Sequence, residues 1–173
     1  MKVHIIDNFL PEEEFNQIKN FITGKTIPWY HGQVIEENIP NISSIDCTTE
    51  ENYQFSHIFY IDDQAAPFIG SISPLVDGII QVGCRSLVRI KANLTLKTDE
   101  IIEHGFHVDY QDFDGGKTAI YYVNTNNGYT KFESGDTVDS LENRLVVFDG
   151  TMLHTGTTCT DKIGRYVINF DFF

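Results

Sequence analysis

The chain has 173 residues, 41% hydrophobic and 13% aromatic, which predicts one globular domain over residues 1–173 with a sizeable core and excludes a disordered chain. Its 12 Lys and Arg stand against 25 Asp and Glu, a net charge of −13 that repels phosphate backbones and argues against a nucleic-acid partner. No run is long and apolar enough to span a bilayer, and the first seven residues lack a secretory signal's apolar core, so a cytoplasmic location without membrane association is expected.

Residues 3–6 alternate weakly and read as a short strand. Pro11 suits the first turn of a helix, where its missing N–H has no helical partner, and Glu12, Glu13 and Glu14 favour the same helix N-terminus. Phe15, Ile18, Phe21 and Ile22 form one apolar stripe, and Gly24 supplies a stop. This helix is expected to pack on the outside of a sheet. Residues 25–56 are polar and irregular. Within them Trp29, Tyr30 and His31 read either as an aromatic anchor for a long connection or as part of a lid or substrate wall. Phe55 to Ile61 reads as a strand, with His57 as a structural histidine. Apolar residues from Ala65 to Ile80 follow a helical period that Pro74 kinks or restarts, with Ser73 as cap. The three cysteines, Cys47, Cys84 and Cys159, lack metal-type spacing and are expected to be thiols in a reducing compartment.

The second half reads as strands. Val88, Ile90, Ala92, Leu94 and Leu96 alternate with Arg89, Lys91, Asn93, Thr95 and Lys97, a period of two that marks one apolar and one polar face. Shorter strands are predicted at 105–110, 118–124, 129–133, 144–149, 152–156 and 164–172, separated by Gly, Asn and Asp turn signals. The expected class is α+β, mainly β. A double-stranded β-helix (jelly roll) would occupy 85–173, and the N-terminal strand, helices and loop region (1–84) would pack helices on one sheet.

Three residues then suggest chemistry. His107 and Asp109, two positions apart, point to one face if they lie on a strand, and His154 follows after several short strands. Two imidazoles and one carboxylate form the facial ligand set that holds ferrous iron and leaves coordination positions open. His104 competes as a ligand, but on one strand with His107 it would face the other way, so a loop contact is expected. Arg165 opens the last apolar strand, where its burial demands an anionic partner. A guanidinium there suits a carboxylate gripped by two parallel hydrogen bonds.

Four pieces together resemble the 2-oxoglutarate- and iron(II)-dependent dioxygenases, most closely their prolyl 4-hydroxylase-like branch. They are His107-Val108-Asp109, Ala119 through Asn124, Leu145 through Phe148 running up to His154, and Arg165-Tyr166-Val167. The likeness covers roughly residues 85 to 173. It implies Fe(II) on His107, Asp109 and His154, which are then the catalytic and metal residues. It implies 2-oxoglutarate as cosubstrate, its distal carboxylate held by Arg165 and Tyr122, with O₂ consumed and ascorbate admitted as a reductant. Tyr121 would pack on the opposite side. Val167 replaces the serine common in the family, and a tyrosine common on the strand before the triad is absent. Asn93, Asn169 and Trp29 are the residues assigned to the substrate side.

The resemblance implies hydroxylation of a C–H bond, with release of succinate and CO₂. The substrate would be a peptidyl residue such as proline, or else a small metabolite. A cupin-like barrel that binds metal without turnover is the reading from another class, and it leaves Arg165 and Tyr122 without a purpose. Nothing in the sequence fixes an oligomeric state.

Overall fold

A computed structural model of the chain describes residues 3–34, 51–109 and 113–173. Cys47, much of the expected lid segment and the end of the strand read over 105–110 lie outside the described residues. Strand β1 (His4–Ile6) leads into helix α1 (Glu12–Ile22). Pro11 stands just before the helix, with Glu12 to Glu14 in its first turn and Lys19 in its last, the charge order that suits the helix dipole. Phe15, Ile18 and Ile22 are buried, and Phe21 packs half-buried beside them.

Next come β2 (Tyr30–Gly32), β3 (Gln54–Ile61) and β4 (Gln64–Ala65). Asp62 and Asp63, both at positive φ, make the two-residue turn between β3 and β4, the turn whose twist matches paired strands. The helical stretch expected from Ala65 to Ile80, kinked or restarted at Pro74, is corrected in its first part. Only a 3-10 turn (Ile69–Ile72) and α2 (Ser73–Gln81) are helical. Phe68 takes a φ of 71°, a left-handed conformation that no α-helix passes through. Pro74 does restart the helix, but Ser73 is its first residue and Ile72 stands at the cap.

The remaining strands are β5 (Leu87–Leu96), β6 (Lys117–Tyr122), β7 (Tyr129–Phe132), β8 (Thr137–Asp139), β9 (Arg144–Asp149), β10 (His154–Gly156) and β11 (Gly164–Phe172). One sheet runs β1-β9-β6-β11-β5-β3-β2, with β4 beside β3; a smaller one runs β10-β7-β8. Every named pair is antiparallel. The strand expected over 105–110 is absent among the described residues. Among the described residues its segment makes isolated bridges, those of Glu103 to Thr157 and His107 to His154 among them, and Gly105 at φ 108° interrupts regular pairing. Strands β2 and β8, three residues each, were too short to announce themselves by alternation.

The large sheet has a dry face and a mixed face. On the dry face, Ile90, Ala92, Ala119, Tyr121, Leu145, Ile168 and Phe170 pack against Phe15, Ile18 and Ile22 of α1 and Leu75 and Ile79 of α2. On the other, Ile120, Tyr122, Val146, Phe148 and Val167 meet Phe132 and Val138 of the small sheet in a second core. The polar residues of β5 share that second face and so look into the molecule, not out to solvent.

Asn143 ties the N-terminal segment to this frame. Its amide donates to the Leu10 carbonyl at 2.8 Å, and its Oδ1 accepts from the Leu10 N–H and the Tyr121 hydroxyl, both at 2.9 Å. Its φ is 57°, which Asn tolerates better than most residues. Asn143→Ala is expected to destabilise the protein by about 3 kcal/mol, roughly 1 kcal/mol for each lost bond, read as a lower urea midpoint with unchanged slope. A midpoint equal to that of the parent would show that Asn143 anchors nothing.

Candidate metal centre

Two backbone hydrogen bonds create the centre. The His107 N–H donates to the His154 carbonyl at 2.9 Å, and the His154 N–H returns the bond at 3.0 Å. This single bridge sets two imidazoles side by side, ring centres 4.9 Å apart. Asp109 joins them, its Oδ2 at 3.4 Å from His154 Nε2. The three residues offer ligand atoms that all lie within 4.8 Å of one another, close enough to hold one metal ion.

Both imidazoles are oriented from behind. His107 Nδ1 lies 3.2 Å from the Gly105 carbonyl oxygen, and His154 Nδ1 lies 3.1 Å from that of Met152. A carbonyl only accepts, so each Nδ1 carries a hydrogen, and Nε2 is the nitrogen that would meet a metal, His154 Nε2 giving up its hydrogen bond to Asp109 on binding. Burial draws His107 down to about 4, with neighbouring His154 adding to the fall and Asp109 opposing it. Burial would raise the Asp109 carboxyl, but the His154 hydrogen bond and the Arg89 guanidinium outweigh it and hold the group well below the usual carboxylate range. Burial opposes a charge on His154 too, and Asp109 reverses that, raising its pKa. At neutral pH His107 is therefore neutral and Asp109 ionised, the states in which both ligate a cation.

One cavity between the two sheets holds His107, Asp109 and His154 together with Arg165, Asn93 and Asn169. Lys91, Thr95, Thr130 and Gln54 complete much of its wall. Asn169 Nδ2 donates to Asp109 Oδ2 at 3.3 Å, while the buried Oδ1 atoms of Asn93 and Asn169 have no hydrogen-bond partner among the described residues. His104 also reaches this cavity, with Nδ1 at 3.2 Å from the Gly156 carbonyl oxygen, but it stays outside the metal cluster.

Arg165 is 5% exposed. Its Nε donates to Ser140 Oγ at 2.9 Å and its Nη2 to Thr130 Oγ1 at 3.0 Å. Among the described residues no carboxylate lies within ion-pair distance of it. Burial is the main influence on its pKa and lowers it, yet a guanidinium stays charged in a protein. Gly128 gives the side chain room: a Cβ there would lie 2.9 Å from Arg165 Cδ and 2.6 Å from the Thr158 carbonyl oxygen.

Two assignments change. Tyr122 is fully buried beneath Arg165, the guanidinium carbon 5.5 Å from its ring centre, and its hydroxyl donates to Thr130 Oγ1 at 2.8 Å. It stands behind the cavity wall and supports Thr130 and Arg165 from there. Trp29 is not brought to this cavity at all. It packs on Tyr166, ring centres 6.0 Å apart, among the residues of the helix-covered core. Because β11 alternates, Tyr166 points away from the side that Arg165 and Val167 share. Sequence reading missed Arg89 and Asp171. Arg89 Nη2 lies 3.1 Å from Asp109 Oδ1 and 2.8 Å from Asp171 Oδ2.

No protein-family model and no curated protein matches the chain. Solved structures do. A 2OG-Fe(II) oxygenase family oxidoreductase from Burkholderia pseudomallei superposes with a TM-score of 0.70 at 13% identity, over 98% of this chain and 84% of that one. A prolyl hydroxylase from Trichoplax adhaerens, in complex with a hypoxia inducible factor oxygen degradation domain peptide fragment, gives 0.62 at 18%, over 99% and 83%. The non-heme alpha ketoglutarate dependent epimerase SnoN from nogalamycin biosynthesis gives 0.67 at 9%, over 99% and 77%. At these identities the likeness is one of fold. Their named activities belong to those proteins.

The site predicts a thermal response to metal. A divalent ion such as Co²⁺, at about a hundred times its Kd, should stabilise the protein by about 2.7 kcal/mol through linkage. His107→Ala, Asp109→Ala and His154→Ala should each lose most of that gain in a melting experiment. A full gain retained in all three would place the ion elsewhere.

Proposed function

We propose that the chain is a 2-oxoglutarate- and Fe(II)-dependent oxygenase. In this reading residues 1–173 form one catalytic domain whose two sheets are the halves of a double-stranded β-helix. One observation carries the proposal. A His-Asp-His cluster able to bind metal shares a cavity with a buried arginine that has no carboxylate partner among the described residues. An isolated buried cation is costly. A small dicarboxylate that reaches the metal at one end and Arg165 at the other would remove that cost. A barrel that merely bound metal would have no use for such a clamp.

His107, Asp109 and His154 would hold the iron. Bound Fe(II) supplies the redox chemistry, in which O₂ and 2-oxoglutarate are consumed as R–H becomes R–OH with release of succinate and CO₂. The chain supplies position and shelter. Arg165 would grip the distal carboxylate. Thr130 Oγ1 already accepts from Tyr122 and Arg165, which leaves its own hydrogen for a carboxylate oxygen. Tyr122 would act through Thr130 and not by direct contact. Asn93 and Asn169, which line the cavity and whose Oδ1 atoms have no partner among the described residues, would meet hydrogen-bond donors of a ligand.

For the substrate we favour a peptidyl residue such as proline. The fold match to a prolyl hydroxylase caught with a peptide supports this, as does the resemblance to that branch around the triad. The fold match to an epimerase from nogalamycin biosynthesis favours a small metabolite as the second reading. A cytoplasmic setting is part of the proposal and agrees with the free thiols of Cys84 and Cys159. No helix among the described residues is long and apolar enough to cross a membrane.

Arg165→Met tests the clamp. With Fe(II) and O₂ supplied, succinate formation should need more than about 100-fold higher 2-oxoglutarate, because removing one partner of a buried charge pair costs about 3–5 kcal/mol. Metal affinity should stay near that of the parent. An unchanged KM for 2-oxoglutarate would remove Arg165 from this role.

A further inference from the structure

We propose that Arg89 and Asp171 are positioning residues for Asp109, turning its carboxylate so that one oxygen alone faces the two histidines. The inference rests on the metal-centre reading given above. Its basis is the sheet register. Asp171 of β11 lies directly opposite Arg89 of β5 on one side and Thr118 of β6 on the other. Directly opposed residues share a face, so the three side chains form one row across three strands.

The row is closed at every link. Arg89 Nε donates to Asp171 Oδ2 at 2.8 Å, and its Nη2 lies 2.8 Å from the same oxygen in an ion pair. Thr118 Oγ1 donates to Asp171 Oδ1 at 3.0 Å. The Asp171 side chain is fully buried and that of Arg89 is 16% exposed, so neither charge is strongly screened by water. Arg89 Nη2 then reaches Asp109 Oδ1 at 3.1 Å. The other oxygen, Oδ2, faces Asn169 Nδ2 and His154 Nε2. The two oxygens of Asp109 are thus distinguished: Oδ1 belongs to the guanidinium, Oδ2 to the metal side.

Asp109 needs this help because its backbone gives little. Among the described residues its segment joins the sheets through isolated bridges, and His107 is the last of them before Asp109. A carboxylate on such a segment has several rotamers and two equivalent oxygens. Arg89 selects one arrangement. Asp171 in turn keeps Arg89 from over-reaching. Without Asp171, both guanidinium donors would be available to Asp109, and the two-pronged pair that arginine makes with carboxylates would compete with the ion for Oδ2.

The test is Co²⁺ titration of the full chain without 2-oxoglutarate, read by the visible ligand-field bands. These report affinity and coordination geometry independently of turnover. Asp171→Asn and Arg89→Gln should lower Co²⁺ affinity by about 10- to 100-fold, the range for residues that support metal ligands, and should change the band pattern. Thr118→Val, uncharged and nearly isosteric, should move affinity in the same direction by less. It decides the matter if the charge-altering variants fail to fold by circular dichroism. Parent-like affinity and bands in Asp171→Asn, or in Thr118→Val when that variant must decide, would overturn the positioning role while leaving the metal centre standing. Failure of the parent protein to bind Co²⁺, or equal binding by His154→Ala, would instead overturn the metal-centre reading on which the inference rests.

Discussion

Strand β11 lies between β5 and β6, and its register decides which side chains share the cavity. From Arg165 to Asp171 every second residue turns inward, so Arg165, Val167, Asn169 and Asp171 line up along one face. Opposite them on β5 stand Thr95, Asn93, Lys91 and Arg89. A one-residue slip would exchange these polar groups for Tyr166, Ile168 and Phe170 and expose the helix-covered core. Burying so many polar groups is costly, and the structure offsets it unequally. Arg89 is neutralised between Asp109 and Asp171, whereas Arg165 has hydroxyl partners but no described carboxylate. That imbalance is what the proposed dicarboxylate would relieve.

The two hydrophobic cores serve this face from opposite directions. Helices α1 and α2 dry one side of the large sheet and hold its strands in register. On the other side Phe132, Val138, Phe148 and Val167 seal one end of the space between the sheets, leaving the cavity beyond them. Phe148 also packs on His154, ring centres 4.9 Å apart, so the second core helps fix an imidazole of the candidate metal centre. Packing and site are therefore coupled through shared residues.

Much of this was legible in the sequence. The alternation of 88–96 and the apolar run 164–172 marked the strands that floor the cavity. His107, Asp109, His154, Arg165, Asn93 and Asn169 were all singled out and all meet there. The misreadings have physical causes. The strand read over 105–110 is absent because Gly105, at φ 108°, breaks regular pairing; His104, expected to make a loop contact and not to ligate, does stay outside the metal cluster, although it lines the cavity. Trp29 sits near no periodic run that could tell one face of the sheet from the other. Asp171 stands in an apolar run, and its partners Arg89 and Thr118 become visible only once three strands are paired. Register is a property of the assembled sheet, and no local pattern carries it.

The central claim is that the metal cluster and Arg165 serve one dicarboxylate. Its most direct test is anaerobic titration of the metal-free protein with Fe(II) and then 2-oxoglutarate, watching the visible absorption for a metal-to-ligand charge-transfer band. The account predicts a band that needs both components. Tight Fe(II) binding with no band on adding 2-oxoglutarate would contradict it and leave a metal-binding barrel of another kind.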